Sequence, residues 1–456
     1  MGAVVFARRR APTAAFFFLF LSSIGLMTFF LVRPALSSGA YYRTRPAGTT
    51  NDYWWLILLA FVPYAAAIRS WRGGRTIPTR VLLMVAIVAF VGFIPAPAQQ
   101  SQDVYQYLVY GRTAVQGGNP YSDVTHARDE WTDHALWRGT RSAYGPIWTA
   151  ASEGIVRLSG TRLTEAFLLM KGLAAALAIA TILLASRVAG TVAGHGSDGG
   201  LAVLTFAFNP LVVVSVGLGA HADIAVAAAL ASALFLYGKG RPLGVTVALG
   251  VGALIKAYAG LVLLLWVIHV LKRHGVRRAG AHAALVVAIS AVAFAPYWKG
   301  MRTFSGLSEV SRLASASLTG GLMRLFSGRW NSGAGLTTAG AVVRIVATAV
   351  LLFALLRLAR SASERPMEAM ATLFAVYVIV SPWFLPWHLL GLVLFSAVLS
   401  EWRGSGPTIL FSASSLVVLP GGLQTAVRYG PPFLWARRNR ERTWKLDRAD
   451  GSASHA

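Results

Sequence analysis

A few ionisable side chains stand inside or at the edges of apolar sequence, where each is costly unless it has a task. Asp103 opens the string DVYQYLVYGRTAVQGGNPY just after an apolar run. A carboxylate held between lipid and an aqueous loop could take a proton from an attacking hydroxyl as a general base. It could equally cap a short helix through Tyr110. Asp103, Tyr107 and Tyr110 can share one helical face. Arg112 could bind a phosphate, which its guanidinium fork suits, or a lipid headgroup. His221 and Asp223, in GLGAHAD, could bind sugar hydroxyls or a phosphate, or could hydrogen-bond a neighbouring helix. Lys256, in GALIKAYAG, would be satisfied by a lipid-linked phosphate, by an internal partner such as Asp223, or by snorkelling to the interface. SPWFLPWH carries Trp383, Trp387 and His388. Aromatic faces stack on sugars and a histidine can hydrogen-bond one, but an interfacial belt is the simpler reading of the Trp pair.

These residues sit in a chain of 456 residues that is 55% hydrophobic and only 13% charged. That is about half the charge of a soluble domain, and several runs have membrane-spanning length, so the chain reads as a multi-pass membrane protein. The net charge of +25 is assigned to residues that flank spans and face anionic lipid, and no nucleic-acid motif accompanies it. The chain has no cysteine, which excludes disulfides and thiolate chemistry. It has no Walker A string, no dinucleotide glycine fingerprint and no Asp-x-Asp. The His and Asp residues are too sparse for a metal cluster.

The positioning elements follow from hydropathy. Spans are expected at about 11–32, 53–68, 81–94, 163–188, 201–216, 224–237, 281–297, 342–358, 367–380, 389–399 and 408–422. The stretch 243–266 reads as two short helices with Lys256 near the turn between them. Residues 147–158 read as a short amphipathic helix along the interface. Basic loops mark the cytoplasmic side, so the loops 99–148 and 299–338 are expected outside. The first of these loops holds five of the 17 acidic residues, Asp103, Asp123, Asp129, Glu130 and Asp133.

An aspartate after an early span, then GRTAVQGGNPY, AYGPIW, Asn209-Pro210, His221-Ala222-Asp223 and a lysine between two short helices resembles the GT-C glycosyltransferases. Within them the chain is similar to the actinobacterial-type, polyprenol-phosphate-mannose-dependent mannosyltransferases. The resemblance implies an all-α, polytopic membrane helix bundle of GT-C type with about 11–13 transmembrane segments and a large extracytoplasmic loop carrying short interfacial helices. The hydropathy reading divides the chain into an N-terminal hairpin over 1–80, a core of this type over 81–402, a last span over 403–423 and a basic, disordered tail over 424–456. The resemblance implies an inverting transfer of a sugar, mannose first, from a polyprenyl-phosphate donor to a hydroxyl of a glycan or glycolipid acceptor outside the cell membrane. Asp103 would be the base. Lys256 and Arg112 would hold the departing phosphate. His221, Asp223, Tyr107, Tyr144 and His388 would line the sugar or acceptor site. No cofactor is expected, and a divalent metal is left open. A transporter or flippase of lipid-linked sugars is the competing reading, against which the acids and aromatics of the loop argue.

Overall fold

A computed structural model of the chain describes residues 14–26, 28–29, 54–98, 101–124, 128–160, 162–192, 198–329, 331–419 and 423–438. Among these, every regular element is a helix. An apolar segment in lipid must satisfy its backbone internally, and the helix does so within one segment. Five helices are long and apolar enough to cross a membrane: Trp54–Arg72, Leu163–Ala189, Ala257–His274, Val276–Tyr297 and Thr338–Ser361. The pair Gly199–Ala207 and Pro210–Gly217 makes a sixth if it is one span, bent by 59°. Shorter apolar helices of 10–17 residues include Thr79–Gly92, Asp223–Gly238, Pro242–Ala253 and Pro366–Val380. The expected 11–13 crossings exceed the five or six that qualify by length, and the remainder falls on these shorter helices.

Three expectations are corrected. The straight span over 201–216 is broken, because Pro210 has no N–H to give the preceding turn and Asn209 caps the second half by accepting from the Leu211 amide at 3.0 Å. The last span shortens to Ser405–Ser414, ten residues. Residues 423–438, expected to be disordered from 424, are helical. Part of the first expected span, the link over 33–52 and the tail beyond 438 lie outside the described residues. By contrast, 243–266 does divide into two helices, Pro242–Ala253 and Gly260–His274, with Lys256 in the extended residue between them.

The alanine-rich helix Asp223–Gly238 lies at the centre, against Leu163–Val192 and Pro242–Ala253. Small residues matter there because lipid supplies no hydrophobic drive between helices, and close backbone approach has to supply the packing. Val276–Phe294 and Thr338–Ser361 lie at the periphery and show apolar side chains outward, among them Val292, Ile345, Phe353 and Leu356. Apolar side chains facing outward are the arrangement lipid favours.

Two glycines hold the loop region against this bundle. A Cβ on Gly111 would overlap the Ser152 backbone, so the glycine lets Asp103–Val115 pack closely on Pro146–Ser159. A Cβ on Gly145 would overlap the Leu254 carbonyl. There the chain makes two backbone bonds, Gly145 N–H to the Ile255 carbonyl at 2.9 Å and Ile147 N–H to the Leu254 carbonyl at 3.1 Å. The string Tyr144-Gly145-Pro146 is thereby fastened beside Lys256.

Candidate active site

Asp103 is the first residue of the helix Asp103–Val115, and Gln102 before it makes no side-chain cap. The Asp103 amide is satisfied by Ser101 Oγ at 3.0 Å. Its carboxylate does not cap the helix. It lines a cavity of about 550 Å³. Gln106 and Tyr110, three and seven residues on, line the same cavity. Tyr107 is turned aside: its hydroxyl accepts from the Ala222 amide at 3.3 Å, and its ring meets Tyr144 and Trp148 edge-on. It buttresses the site, while Tyr144 lines the cavity.

His221 is fully buried, with Nδ1 3.4 Å from Asp103 Oδ2 and its ring stacked on Trp387 at 3.6 Å between centroids. At 3.4 Å the pair falls short of good hydrogen-bond geometry, and neither ring nitrogen has a hydrogen-bond partner among the described residues. The histidine comes from a tight turn after Gly217. Ala220 there has φ +46°, a left-handed conformation that costs an alanine roughly 1–2 kcal/mol. The buried Lys171 donates to the Gly217 carbonyl, tying the end of Pro210–Gly217 to the long helix Leu163–Val192. The strained turn is held from behind by a buried lysine.

Asp223 begins the helix after that turn and is closed by two donors, Lys256 Nζ at 2.6 Å and Tyr258 Oη at 2.7 Å. Of the three fates open to Lys256, the internal partner is the one realised. Lys256 also lines the cavity and lies 5.4 Å from the centre of the Tyr144 ring.

Arg112 is not brought to this site. It pairs with Asp129 at 2.6 Å and lies over Trp131 at 5.3 Å, away from the cavity. The helix explains this. Nine residues at about 100° each put Arg112 on the face opposite Asp103 and roughly 13 Å further along. Burial opposes ionisation of Asp129, but the Arg112 guanidinium and the Thr132 amide outweigh it and hold its carboxyl below the ordinary range.

His388 lines the cavity, and so do Trp383 and Trp387. The Trp pair is therefore not an interfacial belt: Trp387 stacks on His221 and Trp383 meets Trp137 edge-on at 5.7 Å. Sequence reading missed Arg141, Tyr258, Glu309, Arg344 and Tyr377 on the cavity wall. Tyr258, two residues after Lys256, had a signal in its neighbour; Arg344, inside the apolar run Thr338–Ser361, was visible as a stray cation. Arg141 is paired with Glu309 at 2.7 Å. Arg344 donates to the Gly335 carbonyl and has no carboxylate in ion-pair range among the described residues. Among the described residues no three His, Asp or Glu side chains gather as metal ligands would. The arrangement is a mostly apolar chamber with one carboxylate free to accept a proton and one cation free to receive negative charge.

Residues 15–272 match the model of the MptA/B family, described as alpha-(1->6)-mannopyranosyltransferase, N-terminal domain. The chain is 27% identical over 231 residues to the alpha-(1->6)-mannopyranosyltransferase A of Mycobacterium tuberculosis, a match covering 48% of this chain and 42% of that protein. It is 37% identical over 83 residues to a probable alpha-(1->6)-mannopyranosyltransferase of Mycolicibacterium smegmatis, covering 17% of this chain and 15% of the relative. The matches thus span less than half of each relative's length. The family match takes in Asp103, the strained turn with His221 and Asp223, and Lys256, and it covers more than half of the sequence: the chain belongs to the MptA/B alpha-(1->6)-mannopyranosyltransferase family.

Proposed function

We propose that the chain transfers mannose from a polyprenyl-phosphate donor to a hydroxyl of a glycan acceptor, with inversion, on the extracytoplasmic side of the cell membrane. The observation that carries this is the uncapped Asp103 carboxylate on the wall of a chamber that also presents Arg344 and Lys256. Asp103 takes the proton from the acceptor hydroxyl. The acceptor oxygen bonds to the anomeric carbon as the bond from that carbon to the phosphate oxygen breaks, and the electron pair leaves with the phosphate. Negative charge grows on the phosphate in the transition state, so cations aimed there stabilise it more than the ground state. Arg344 supplies most of that field, since Asp223 already neutralises Lys256. Arg112 has no part in it. His221 stands 3.4 Å behind the Asp103 carboxylate, while Trp383 and His388 face the sugar.

The catalytic unit is the core over 81–402, with the loop segments 99–148 and 299–338 closing the chamber. The isoprenoid tail lies along the outward apolar face of Thr338–Ser361, which brings the phosphate beside Arg344.

An inverting step that leaves the α linkage named in the family requires a β-configured donor. Purified full-length protein in nanodiscs is to be given β- and α-configured polyprenyl-phosphate mannose with a short α-mannoside acceptor. Transfer from the β donor alone, giving an α-(1→6) product by NMR, is expected. Transfer from neither donor, or retention of configuration, overturns the proposal.

A further inference from the structure

Between the turn at Asn119 and the segment around Arg302 lies a second, larger groove of about 1210 Å³. Arg141 and Glu309 line both spaces, so their 2.7 Å ion pair stands on the partition between them. The groove is above the roughly 300–1,000 Å³ of a site for one small ligand, so it suits an extended one.

Its walls are fastened. The Asn119 side-chain amide donates to the Tyr297 carbonyl at 2.8 Å. Arg141 Nε donates to the Ser122 carbonyl at 3.2 Å. A Cβ on Gly306 would overlap the backbone of Ser142, so the two loop segments touch main chain to main chain.

The charge on these walls is unbalanced. Asp123 is occupied by the Asn119 amide at 2.7 Å and the Ser122 hydroxyl at 2.8 Å. Glu309 is occupied by Arg141. Lys299, Arg302 and Arg312 line the groove, and among the described residues none has a carboxylate in ion-pair range. The neutral donors on Asp123 leave its charge in place near Lys299, so the four cations Arg141, Lys299, Arg302 and Arg312 against the two carboxylates leave this concave space net positive.

We infer that this groove is the acceptor subsite, that it takes a glycan carrying an anionic group such as a phosphate ester, and that the chain of the glycan passes the Arg141–Glu309 pair to reach Asp103. The inference rests on the transferase reading and adds the acceptor's charge and path. Ser305 and Ser308 on the groove wall suit sugar hydroxyls, and the cations fix the charged group at a distance from the reacting hydroxyl. Anionic membrane lipid is the competing occupant of the same cations.

The test uses methyl α-mannotrioside and the same trisaccharide bearing one phosphate monoester, with full-length protein in nanodiscs. A KM at least tenfold lower for the phosphorylated acceptor at low salt is expected, with the ratio falling toward one in a Lys299→Gln/Arg302→Gln/Arg312→Gln variant. Charged contacts of this kind weaken with ionic strength, so 0.5 M salt should erode the preference too. Equal KM values in the wild type, or a preference that survives the triple substitution, overturn the inference. A preference seen in neutral nanodiscs but lost in nanodiscs of anionic phospholipid assigns the cations to the membrane surface and also overturns it. Failure of the transferase reading looks different: neither trisaccharide receives mannose. Calorimetric binding of the phosphotrisaccharide, competed by inorganic phosphate, then decides the groove by itself.

Discussion

Asp103 and Asp223 are the same residue type at the same place, the first residue of a helix, but only Asp103 lines the chamber. Asp223 is sealed. Lys256 and Tyr258 saturate it, and its side chain is out of reach of solvent. Asp103 is left open, with a histidine at 3.4 Å and the cavity in front. A buried carboxylate closed by a cation is a structural brace whose removal strands the partner charge. A carboxylate that meets an uncommitted histidine keeps lone pairs for an incoming proton. Sequence context does not separate the two roles; the number of donors pointed at each carboxylate does.

The sharpest way to break this contrast is to neutralise each carboxylate without changing its shape. Asp103→Asn should lower kcat by roughly 10²–10⁴-fold, the range for a general base, while thermal unfolding stays near wild type. Retained turnover would make the two aspartates equivalent and remove the mechanism. Asp223→Asn should do the reverse and cost about 3–5 kcal/mol of stability, because Lys256 is left buried and unpaired. Pairing it with Lys256→Met should recover much of that stability in a denaturation assay; an additive loss instead would mean the pair is not the brace.

A smaller effect is expected behind the turn. Lys171→Met removes a donor from the Gly217 carbonyl, at a cost of about 0.5–1.5 kcal/mol. Because the turn carries His221, kcat should fall with donor KM little changed, which a purely structural loss would not produce. Arg112→Ala should be milder still. Its pair with Asp129 is partly exposed and contributes about 0.2–1 kcal/mol, and donor KM should not move. A large rise in donor KM would restore Arg112 to the site.

The least effect concerns acid. The Asn119 amide and then the Ser122 hydroxyl hold the Asp123 carboxyl below its ordinary range. A depressed carboxylate contributes stability above its unfolded pKa of about 3.9, and that contribution disappears as pH falls through the lower folded value. Cleavage in the turn around Asp123 by an acid-tolerant protease should therefore rise only below about pH 4, and Asp123→Asn should show the loosened pattern already at neutral pH. A wild-type pattern in that variant would sever the link.

Hydropathy along one dimension set the membrane character, the all-helical class, most helix positions and the split of 243–266 around Lys256, because an apolar backbone in lipid has few other ways to bond. Residue type and cost of burial picked out Asp103, His221, Asp223 and Lys256. Even the error at Arg112 was legible, since nine residues of helix reverse the face. The partners were not. Lys256 meets Asp223 across 33 positions, Trp387 lies on His221 across 166, and Arg344 reaches the chamber from a helix whose other side is apolar and turned outward. Which carboxylate is sealed and which is left open depends on those long-range approaches, and no local pattern encodes the backbone contact at Gly145 that fastens the loop beside Lys256.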